Sequence, residues 1–306
     1  MFPHSGIIGI GHCCQDTVCT VENYPPEDGS THILSMDDSQ GGGAAATAMA
    51  AAAKLGAPAA VMAHLGDDPT GDRIVEGFER GGVDTRYIRR IPGGRSSTSV
   101  VMVDPNKGTR TKFPYRDALP PLNFDEEQRR AIESCRVLHL DGTRYENAVR
   151  AAGIARAAGV TVSLDGCSRQ QDNDLNIALD RMADILIMNA VYPFKVSGAC
   201  DIPGALKYFA GLGPKKVVAM TVGREGCWAL IGGEAVSFPA FKVDAVDTTG
   251  AGDVFHGAFL ARWLETDDVG ECIRFASAAA AMKCRVPGGR RGIPTREALE
   301  GFLREA

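Results

Sequence analysis

The chain has 306 residues, of which 44% are hydrophobic and 23% are charged, with 36 glycines and 16 prolines. This composition excludes intrinsic disorder, collagen and coiled coil as the main architecture, and the length suits one large α/β domain. The formal net charge of −5 argues against a nucleic-acid or anionic-membrane surface, so any phosphate must be bound by a local arrangement of groups.

Cysteine usage and the first residues point to the cytoplasm. The nine cysteines are scattered without a CxxC pair, and Cys13 and Cys14 are adjacent, which suits neither a zinc site nor a bridge between them. Reduced thiols in a cytoplasmic protein are the simplest interpretation. The N-terminus shows no basic segment followed by an apolar one, and the longest apolar run, 44–53, is too short to span a bilayer.

Strand-like segments and two helices make up the first part of the chain. Residues 6–11 are typical of a buried first strand, and their glycines do not have the GxGxxG spacing of a dinucleotide site. Three glycines at 41–43 precede an alanine-rich helix that stops near Gly56. The other elements predicted here are strands at 17–21, 31–35, 61–65, 97–103 and 109–113 and a helix at 72–80.

From residue 137 onward, strands alternate with helices. The predicted strands are 137–140, 160–164, 185–188, 217–221, 227–231 and 235–238, and the predicted helices are 147–158, 254–264 and 270–283. Such alternation predicts an α/β fold with a mostly parallel central sheet flanked by helices on both faces, a Rossmann-like three-layer sandwich. The early strands outside it are expected to form a small β-sheet lid, at about 13–37 and 95–116, on a single domain covering 1–306.

The strongest chemical signal is the segment 247–253, DTTGAGD, because apolar residues at helical spacing follow it. N–H groups at the start of a helix bind anions, and glycine lets a phosphate approach the backbone closely. Asp253 in that first turn suits a base that takes a proton from a hydroxyl during phosphoryl transfer. The alternative is a first-turn acid that only complements the helix dipole, beside a packing turn. A Walker A loop, GxxxxGK[ST], has no match in the chain.

Two segments together resemble the signatures of the ribokinase (PfkB) family of sugar kinases. DTTGAGD with its following helix is similar to the family's C-terminal signature, and the helix that begins with GGGA and ends with KLG is similar to its N-terminal one. The resemblance runs over nearly the whole chain. It implies a ribokinase-like fold, ATP and Mg²⁺ as co-substrates, a homodimer formed through the lid and, as a further candidate, a monovalent cation such as K⁺.

Within the family, several details resemble the kinases of 6-deoxy-6-sulfofructose. These are the run GGGAAAT at 41–47, the segments 241–249 and 283–294, and an arginine after the middle strand that matches Arg144. The planar guanidinium of Arg144 could pair with a sulfonate or a phosphate. An ordinary surface arginine is the alternative at this position.

The chain also departs from the family pattern. Where many members carry Asn residues that contact the sugar, this sequence has Ala44 and Thr47, which disfavours plain ribose or adenosine. The Glu of the family's Asn-x-x-Glu element is replaced by Tyr192. The resemblance then leaves the metal shell to Asp165, water and the nucleotide.

The residue pattern and the resemblance predict three groups of site residues. Asp253 is the expected catalytic base, and Gly250, Ala251 and Gly252 are expected to surround the transferred phosphoryl group. The predicted sugar-binding residues are Asp16, Gly42, Gly43, Thr47, Arg144 and Asp253. The predicted nucleotide-binding residues are Asn189, Thr221, Gly223, Gly226, Thr249, Gly250 and Gly252.

Several candidates also have a purely structural interpretation. Asp16, just past the first strand, could be a solvent-facing turn acid. Asp165, the candidate Mg²⁺ ligand at a strand end, could be a helix cap. Arg285, Arg290 and Arg291 crowd a glycine-rich loop, where they could frame an adenine pocket, form a monovalent-cation loop or remain solvated.

The sequence therefore predicts an ATP-dependent sugar kinase that transfers the γ-phosphate to a primary hydroxyl of a ketose-type sugar, with 6-deoxy-6-sulfofructose as one candidate. Fructose, a fructose phosphate, ribose and a nucleoside remain open as substrates. A non-catalytic sensor of nucleotide or sugar is the alternative from another class, because a fold alone does not secure activity. The expected partners are a small sugar and ATP, without nucleic acid or membrane.

Overall fold

The computed structural model describes residues 6–106, 109–166 and 172–306. In chain order its strands are β1 (Ile7–Ile10), β2 (Cys14–Val21), β3 (Ile33–Gly42), β4 (Ala59–Val61), β5 (His64–Gly66), β6 (Arg89–Ile91), β7 (Ser97–Asp104), β8 (Thr109–Tyr115), β9 (Val137–Leu140), β10 (Thr161–Gly166), β11 (Ile185–Asn189), β12 (Val217–Thr221), β13 (Cys227–Ile231) and β14 (Glu234–Phe238). Its α-helices are α1 (Ala44–Lys54), α2 (Pro69–Arg80), α3 (Glu126–Ser134), α4 (Tyr145–Ala157), α5 (Asn173–Met182), α6 (Val191–Ser197), α7 (Ile202–Ala210), α8 (Ala251–Trp263), α9 (Val269–Cys284) and α10 (Arg296–Glu305).

Eight strands form the central sheet, in the order β14-β13-β12-β11-β10-β9-β1-β4. The strands from β12 to β4 are parallel, and β13 and β14 extend the sheet in antiparallel fashion. Parallel strands need cover on both faces, and β1 and β9 accordingly have every residue buried. The predicted mostly parallel sheet between two layers of helices is confirmed.

Two apolar cores lie on opposite faces of the central sheet. One contains residues of α1, α2, α8, α9 and α10, and the other contains residues of α3 to α7. Successive residues of one strand contribute to opposite faces, as Ile7 and Ile8 of β1 do. Small residues let α1 and α8 approach closely, because a Cβ at Gly257 would lie 2.1 Å from the Ala48 carbonyl oxygen. This packing holds the glycine-rich start of each helix on one rigid body.

Strands β3, β2, β7 and β8 form a separate small sheet in that order. Its composition from two early β-rich stretches was predicted. The predicted strand 17–21 lies within the longer β2, whereas the predicted strand 31–35 overlaps only the first three residues of β3. Positions 107 and 108 of the predicted hairpin lie outside the described residues. Apolar side chains of this small sheet are exposed, namely Ile33, Leu34, Met36, Phe113 and Tyr115. Its action as a lid, and the division of the chain around it, stay predictions.

The predicted strand at 61–65 is in fact two strands. Strand β4 ends at Val61 inside the central sheet, and β5 begins at His64 and pairs with β6 outside both larger sheets. A short, mainly apolar run does not reveal where a chain changes its pairing partner, which explains the difference. Of the helices described, none has the length and apolar character needed to cross a membrane.

Candidate active site

The segment 247–250 forms a turn that is fixed by the side chain of Asp247. Its carboxylate accepts hydrogen bonds from the N–H groups of Thr249 and Gly288, each 2.8 Å long. Burial alone would raise the pKa of Asp247, but these hydrogen bonds and the nearby Lys283 ammonium hold it below its ordinary value. The ionised carboxylate therefore ties the turn to the C-terminal loop that contains Gly288.

Helix α8 begins directly after this turn, with Gly250 as its N-cap at φ 76°. Such a left-handed backbone favours glycine, and a Cβ there would also lie 2.9 Å from the Gly289 carbonyl oxygen. The exposed Gly252 and the half-buried Asp253 lie in the first turn. The opening N–H groups of a helix lack intrahelical acceptors and, with the dipole, favour anions. A phosphoryl group bound here would lie beside the Asp253 carboxylate.

A cleft of about 520 Å³ opens beside this first turn. Predicted site residues that line it are Thr221, Gly223, Gly226, Ala251 and Gly252. Gly223 and Gly226 bracket the turn after β12 and have φ values of 60° and 106°. The cleft thus lies at the carboxyl end of a parallel strand, where α/β sheets bind ligands, and its size and partly apolar walls suit a nucleotide.

The remaining nucleotide-binding candidates are placed differently. Asn189 lies at the end of β11, where its side chain accepts hydrogen bonds of 3.1 and 3.2 Å from two N–H groups of α6, the second of them that of Tyr192. Thr249 and Gly250 belong to the turn, and Thr249 Oγ1 accepts a 2.7 Å hydrogen bond from Arg110 of the small sheet. A contact between any of these three candidates and the nucleotide stays a prediction.

Gly42, Gly43 and Asp16 meet at the start of α1. A Cβ at Gly43, where φ is 98°, would lie 1.8 Å from the His12 carbonyl oxygen, so only glycine fits. A Cβ at Gly42 would lie 2.6 Å from Asp16 Oδ2. The half-buried Asp16 carboxylate also accepts a hydrogen bond from Cys14 Sγ at 3.4 Å. A carboxylate against bare backbone can accept hydrogen bonds from sugar hydroxyls, as the predicted sugar site requires.

Arg290 reaches this predicted sugar site from the C-terminal loop. Its Nε donates to Thr47 Oγ1 at 3.2 Å, and its Nη2 donates to the Gly42 carbonyl oxygen at 3.0 Å. Burial lowers the pKa of Arg290, while the carboxylates of Asp16 and Asp253 act in the opposite direction. The half-buried Arg290 guanidinium therefore lies within electrostatic range of both carboxylates, and it contacts the buried Thr47.

Arg144 lines a second cavity, of about 270 Å³. Its Nη2 donates to the Asp117 carboxylate, which also accepts a hydrogen bond from Ser97 Oγ. Burial alone would raise the pKa of Asp117, but Ser97 and Arg144 hold it below its ordinary value. Only 4% of the Asp117 side chain is exposed, against 32% for Arg144. Arg144 is thus an oriented guanidinium that an anion in this cavity could reach.

Asp165, the candidate metal ligand, lies near the end of β10 beside two histidines. Its Oδ1 is 3.5 Å from His256 Nε2, and the His256 ring lies 5.4 Å from that of His139. Burial lowers the pKa of His139 to about 3, so that imidazole is neutral. Among the residues described, no group of three or more His, Cys, Asp or Glu side chains is placed to hold a metal ion. A metal role for Asp165 stays a prediction.

Sequence reasoning missed Asp141, which organises the start of α1. Its Oδ2 accepts hydrogen bonds of 3.1 Å from the N–H groups of His12 and Ala45, and its Oδ1 accepts one of 2.9 Å from Thr143. Asp141 caps α1 because the glycine N-cap has no side chain of its own. A usable signal was present, since Asp141 directly follows the apolar strand 137–140, as Asp165 follows 160–164.

Comparison with known proteins gives matches over almost the entire chain. Residues 6–296 match the model of the pfkB family carbohydrate kinases. The ATP-dependent ribose-1-phosphate kinase of Halopiger xanaduensis is 32% identical over 301 residues, which cover 98% of each chain. The ribokinase of Staphylococcus aureus is 26% identical over 300 residues, or 95% of this chain and 97% of that one.

A solved structure shows the same architecture. Arabidopsis thaliana ribokinase, complexed with ribose and ATP, has a TM-score of 0.86 and 25% identity, and the match covers 99% of both chains. The ribokinase-like fold expected from the two signatures is therefore confirmed. The chain belongs to the pfkB family of carbohydrate kinases and is a phosphotransferase that acts on a sugar hydroxyl.

Proposed function

We propose that this enzyme transfers the γ-phosphoryl group of ATP to a primary hydroxyl of a sugar that carries an anionic group. The observation that carries the proposal is the placement of Asp253. Its neighbours Ala251 and Gly252 line the 520 Å³ cleft, while its carboxylate interacts electrostatically with Arg290, which also interacts with Asp16. These neighbours support a position for Asp253 between the proposed nucleotide side and the proposed sugar side of the site.

The chemistry assigned to Asp253 is that of a general base. The sugar hydroxyl oxygen forms a bond to the γ-phosphorus, the bond from that phosphorus to the bridging oxygen of ADP breaks, and the hydroxyl proton passes to Asp253. The N–H groups at the start of α8 stabilise the phosphoryl oxygens during transfer. Mg²⁺, when bound together with ATP, would neutralise phosphate charge, and Asp165 is the residue that would hold it.

Two observations support an anionic sugar. Arg144 is oriented by the buried Asp117 and lines the 270 Å³ cavity, so a sulfonate or phosphate could form charge-assisted hydrogen bonds there. The relative at 32% identity is, by name, a kinase of ribose 1-phosphate. Ribose 1-phosphate, the fructose phosphates and 6-deoxy-6-sulfofructose all fall in this class, whether the sugar is an aldose or a ketose.

We further propose that two copies of the chain associate through the small sheet. Leu34 is 60% exposed and Met36 is 67% exposed, and both lie on β3. Phe113 and Tyr115 of β8 are exposed as well. Both edge strands of the small sheet therefore expose apolar side chains, which are stabilised when they are covered, and a second copy offers the matching surface.

ADP release with MgATP tests the proposed function directly. The panel is ribose 1-phosphate, fructose 1-phosphate, fructose 6-phosphate, 6-deoxy-6-sulfofructose, fructose, ribose and adenosine. We expect the highest kcat/KM with a sugar that carries phosphate or sulfonate, at least about tenfold above its neutral counterpart. Preference for a neutral sugar would refute the anionic class and keep the kinase. ATP binding without sugar-dependent ADP release would favour the sensor.

A further inference from the structure

Lys283 is a buried cation that the mechanism above does not use. It lies in the last turn of α9, and none of its surface is exposed. Its Nζ donates a 2.7 Å hydrogen bond to the carbonyl oxygen of Asp247, the first residue of the turn that precedes α8. Burial lowers the pKa of Lys283, and the carboxylates of Asp247 and Asp253 act to raise it. A buried ammonium persists only where such partners compensate for the lost water.

The ammonium lies where the turn and the C-terminal loop meet. The N–H groups of Val246 and Asp247 donate to the carbonyl oxygen of Cys284, the residue after Lys283. On the other side, the Asp247 carboxylate accepts the Gly288 N–H. Lys283 therefore supplies positive charge at the seam, which is the junction between the turn at 247–250 and the C-terminal loop that contains Gly288. Carbonyl and carboxylate oxygens of the two segments converge there.

The C-terminal loop was one place where a monovalent cation was expected. Two of its arginines make contacts elsewhere: Arg290 donates to Thr47 and Gly42, and Arg291 pairs with Asp37 of the small sheet at 2.7 Å. A potassium ion at the Asp247 carbonyl oxygen would lie within a few ångströms of the Lys283 ammonium and would be repelled by it. The residues present therefore do not fit a bound monovalent cation at this carbonyl.

We propose that the Lys283 ammonium acts as a built-in monovalent cation that positions the anion-binding turn, so that this enzyme needs no K⁺. The inference rests on the proposed kinase function. Lys283 is a positioning residue, because it acts on the phosphoryl group through Asp247. When Asp247 keeps its place, the N–H groups at the start of α8 keep their direction toward the site.

The test compares K⁺ with tetramethylammonium at equal ionic strength, by ADP release and by thermal unfolding of the full chain. We expect the kcat and Tm of the unaltered enzyme to be the same in both salts. Lys283→Met should lose about tenfold or more in kcat, with a smaller effect on the sugar KM, and K⁺ or NH₄⁺ should restore kcat and raise Tm saturably. Lys215→Met is the matched control, because Lys215 also donates to backbone carbonyls, those of Asp180 and Ala183, away from the turn.

Several results would overturn the inference. One is an unaltered enzyme that K⁺ strongly activates or stabilises relative to tetramethylammonium. Another is a Lys283→Met protein that is fully active without an added ion, or one that folds but that no monovalent ion restores. If Lys283→Met does not fold, the salt comparison on the unaltered enzyme still decides. If no sugar gives ADP release, the kinase proposal fails, whereas the Tm comparison continues to test the cation.

Discussion

Arg110 of the small sheet and Thr249 of the turn before α8 are joined by a hydrogen bond of 2.7 Å, from Nη1 to Oγ1. The same nitrogen lies 3.9 Å from the Asp247 carboxylate. About half of the Arg110 side chain is exposed. A mobile sheet that carries this arginine would add positive charge to the phosphate site on closure and remove it on opening.

Replacing Arg110 by Gln should therefore weaken phosphoryl transfer. We expect kcat to fall by about tenfold to a hundredfold, because one preorganised donor near the transferred group is lost. Steady-state kinetics with varied MgATP would measure the change. Arg73→Gln is a matched control, since Arg73 is an exposed arginine that also contacts a threonine hydroxyl, that of Thr70, on α2. Equal kcat values for the Arg110 variant and the unaltered enzyme would show that Arg110 does not act on transfer.

Replacing Asp253 by Asn should abolish most of the turnover without unfolding the protein. The amide keeps the size of the side chain but cannot take the hydroxyl proton, so kcat should fall by roughly 10²–10⁴. Single-turnover ADP release, with ATP affinity and Tm measured in parallel, separates catalysis from binding and folding. Asp267→Asn, at an exposed acid beyond the end of α8, should behave like the unaltered enzyme. Near-full turnover of the Asp253 variant would remove the assigned base.

The helix start after residue 250 could be predicted from sequence because its signals are local. Glycine at 250 and the apolar spacing after Asp253 indicate a helix start, and the structure begins α8 at Ala251. The alternation of strands and helices likewise predicted the parallel sheet, because hydrophobic period and segment length can be read from neighbouring residues. The change of pairing partner between Val61 and His64 left no such local mark.

The place of Arg290 at the start of α1 could not be predicted in the same way, because its contacts join residues that are distant in the chain. Arg290 and Thr47, which are in hydrogen-bond contact, are 243 positions apart in the chain. Nothing near Arg290 distinguishes a guanidinium that enters the core from a solvated one. The same holds for Arg110 and Thr249, which are 139 positions apart. Their roles follow only from the way the sheet and helices pack.

Arg144 should determine preference for charged sugars. Arg144→Met is expected to lower kcat/KM for a sugar phosphate or sulfonate by about tenfold or more, with a smaller effect on the neutral sugar, because the charge-assisted hydrogen bonds are lost. Arg144→Lys keeps a charge beside the buried Asp117, so its kcat/KM for the charged sugar should lie between those of the Arg144→Met variant and the unaltered enzyme. Arg150→Met, at an exposed position of α4, the helix that follows Arg144, controls for general effects. Equal losses on charged and neutral sugars would contradict anion recognition.

The small sheet should be the dimer interface. Met36→Asp places a charge in the exposed apolar face of β3, so we expect this variant to be a monomer at concentrations where the unaltered chain is a dimer. Sedimentation analysis measures the difference. Val191→Asp, at an exposed apolar residue of α6, should leave the mass unchanged. A dimer that persists in the Met36 variant, or an unaltered chain that is monomeric at every concentration, would locate the interface elsewhere or exclude it.

Tyr192, which stands where family members have Glu, gives the fold a pH-dependent contact. Its hydroxyl donates a 2.5 Å hydrogen bond to Asp180 Oδ2 in the buried face of α5, away from the first turn of α8. Burial raises the pKa of Asp180 to about 6, against the opposing effects of Tyr192 and Lys215. The folded state therefore binds this proton more tightly than the unfolded chain, whose Asp has its ordinary pKa near 4.

Because the folded-state pKa is raised, the contribution of Asp180 to stability is present below about pH 4 and is lost as the pH rises through about 6. The side chain of the Asp180→Asn variant cannot ionise. As the pH rises through this window, the free energy of unfolding of the variant should therefore increase relative to that of the unaltered protein, by up to roughly 3 kcal/mol. Urea unfolding at several pH values measures the difference. Asp174→Asn, at an exposed acid of the same helix, should show no such pH-dependent gain. A constant difference between Asp180→Asn and the unaltered protein from pH 4 to 7 would show that Asp180 titrates normally in the folded state.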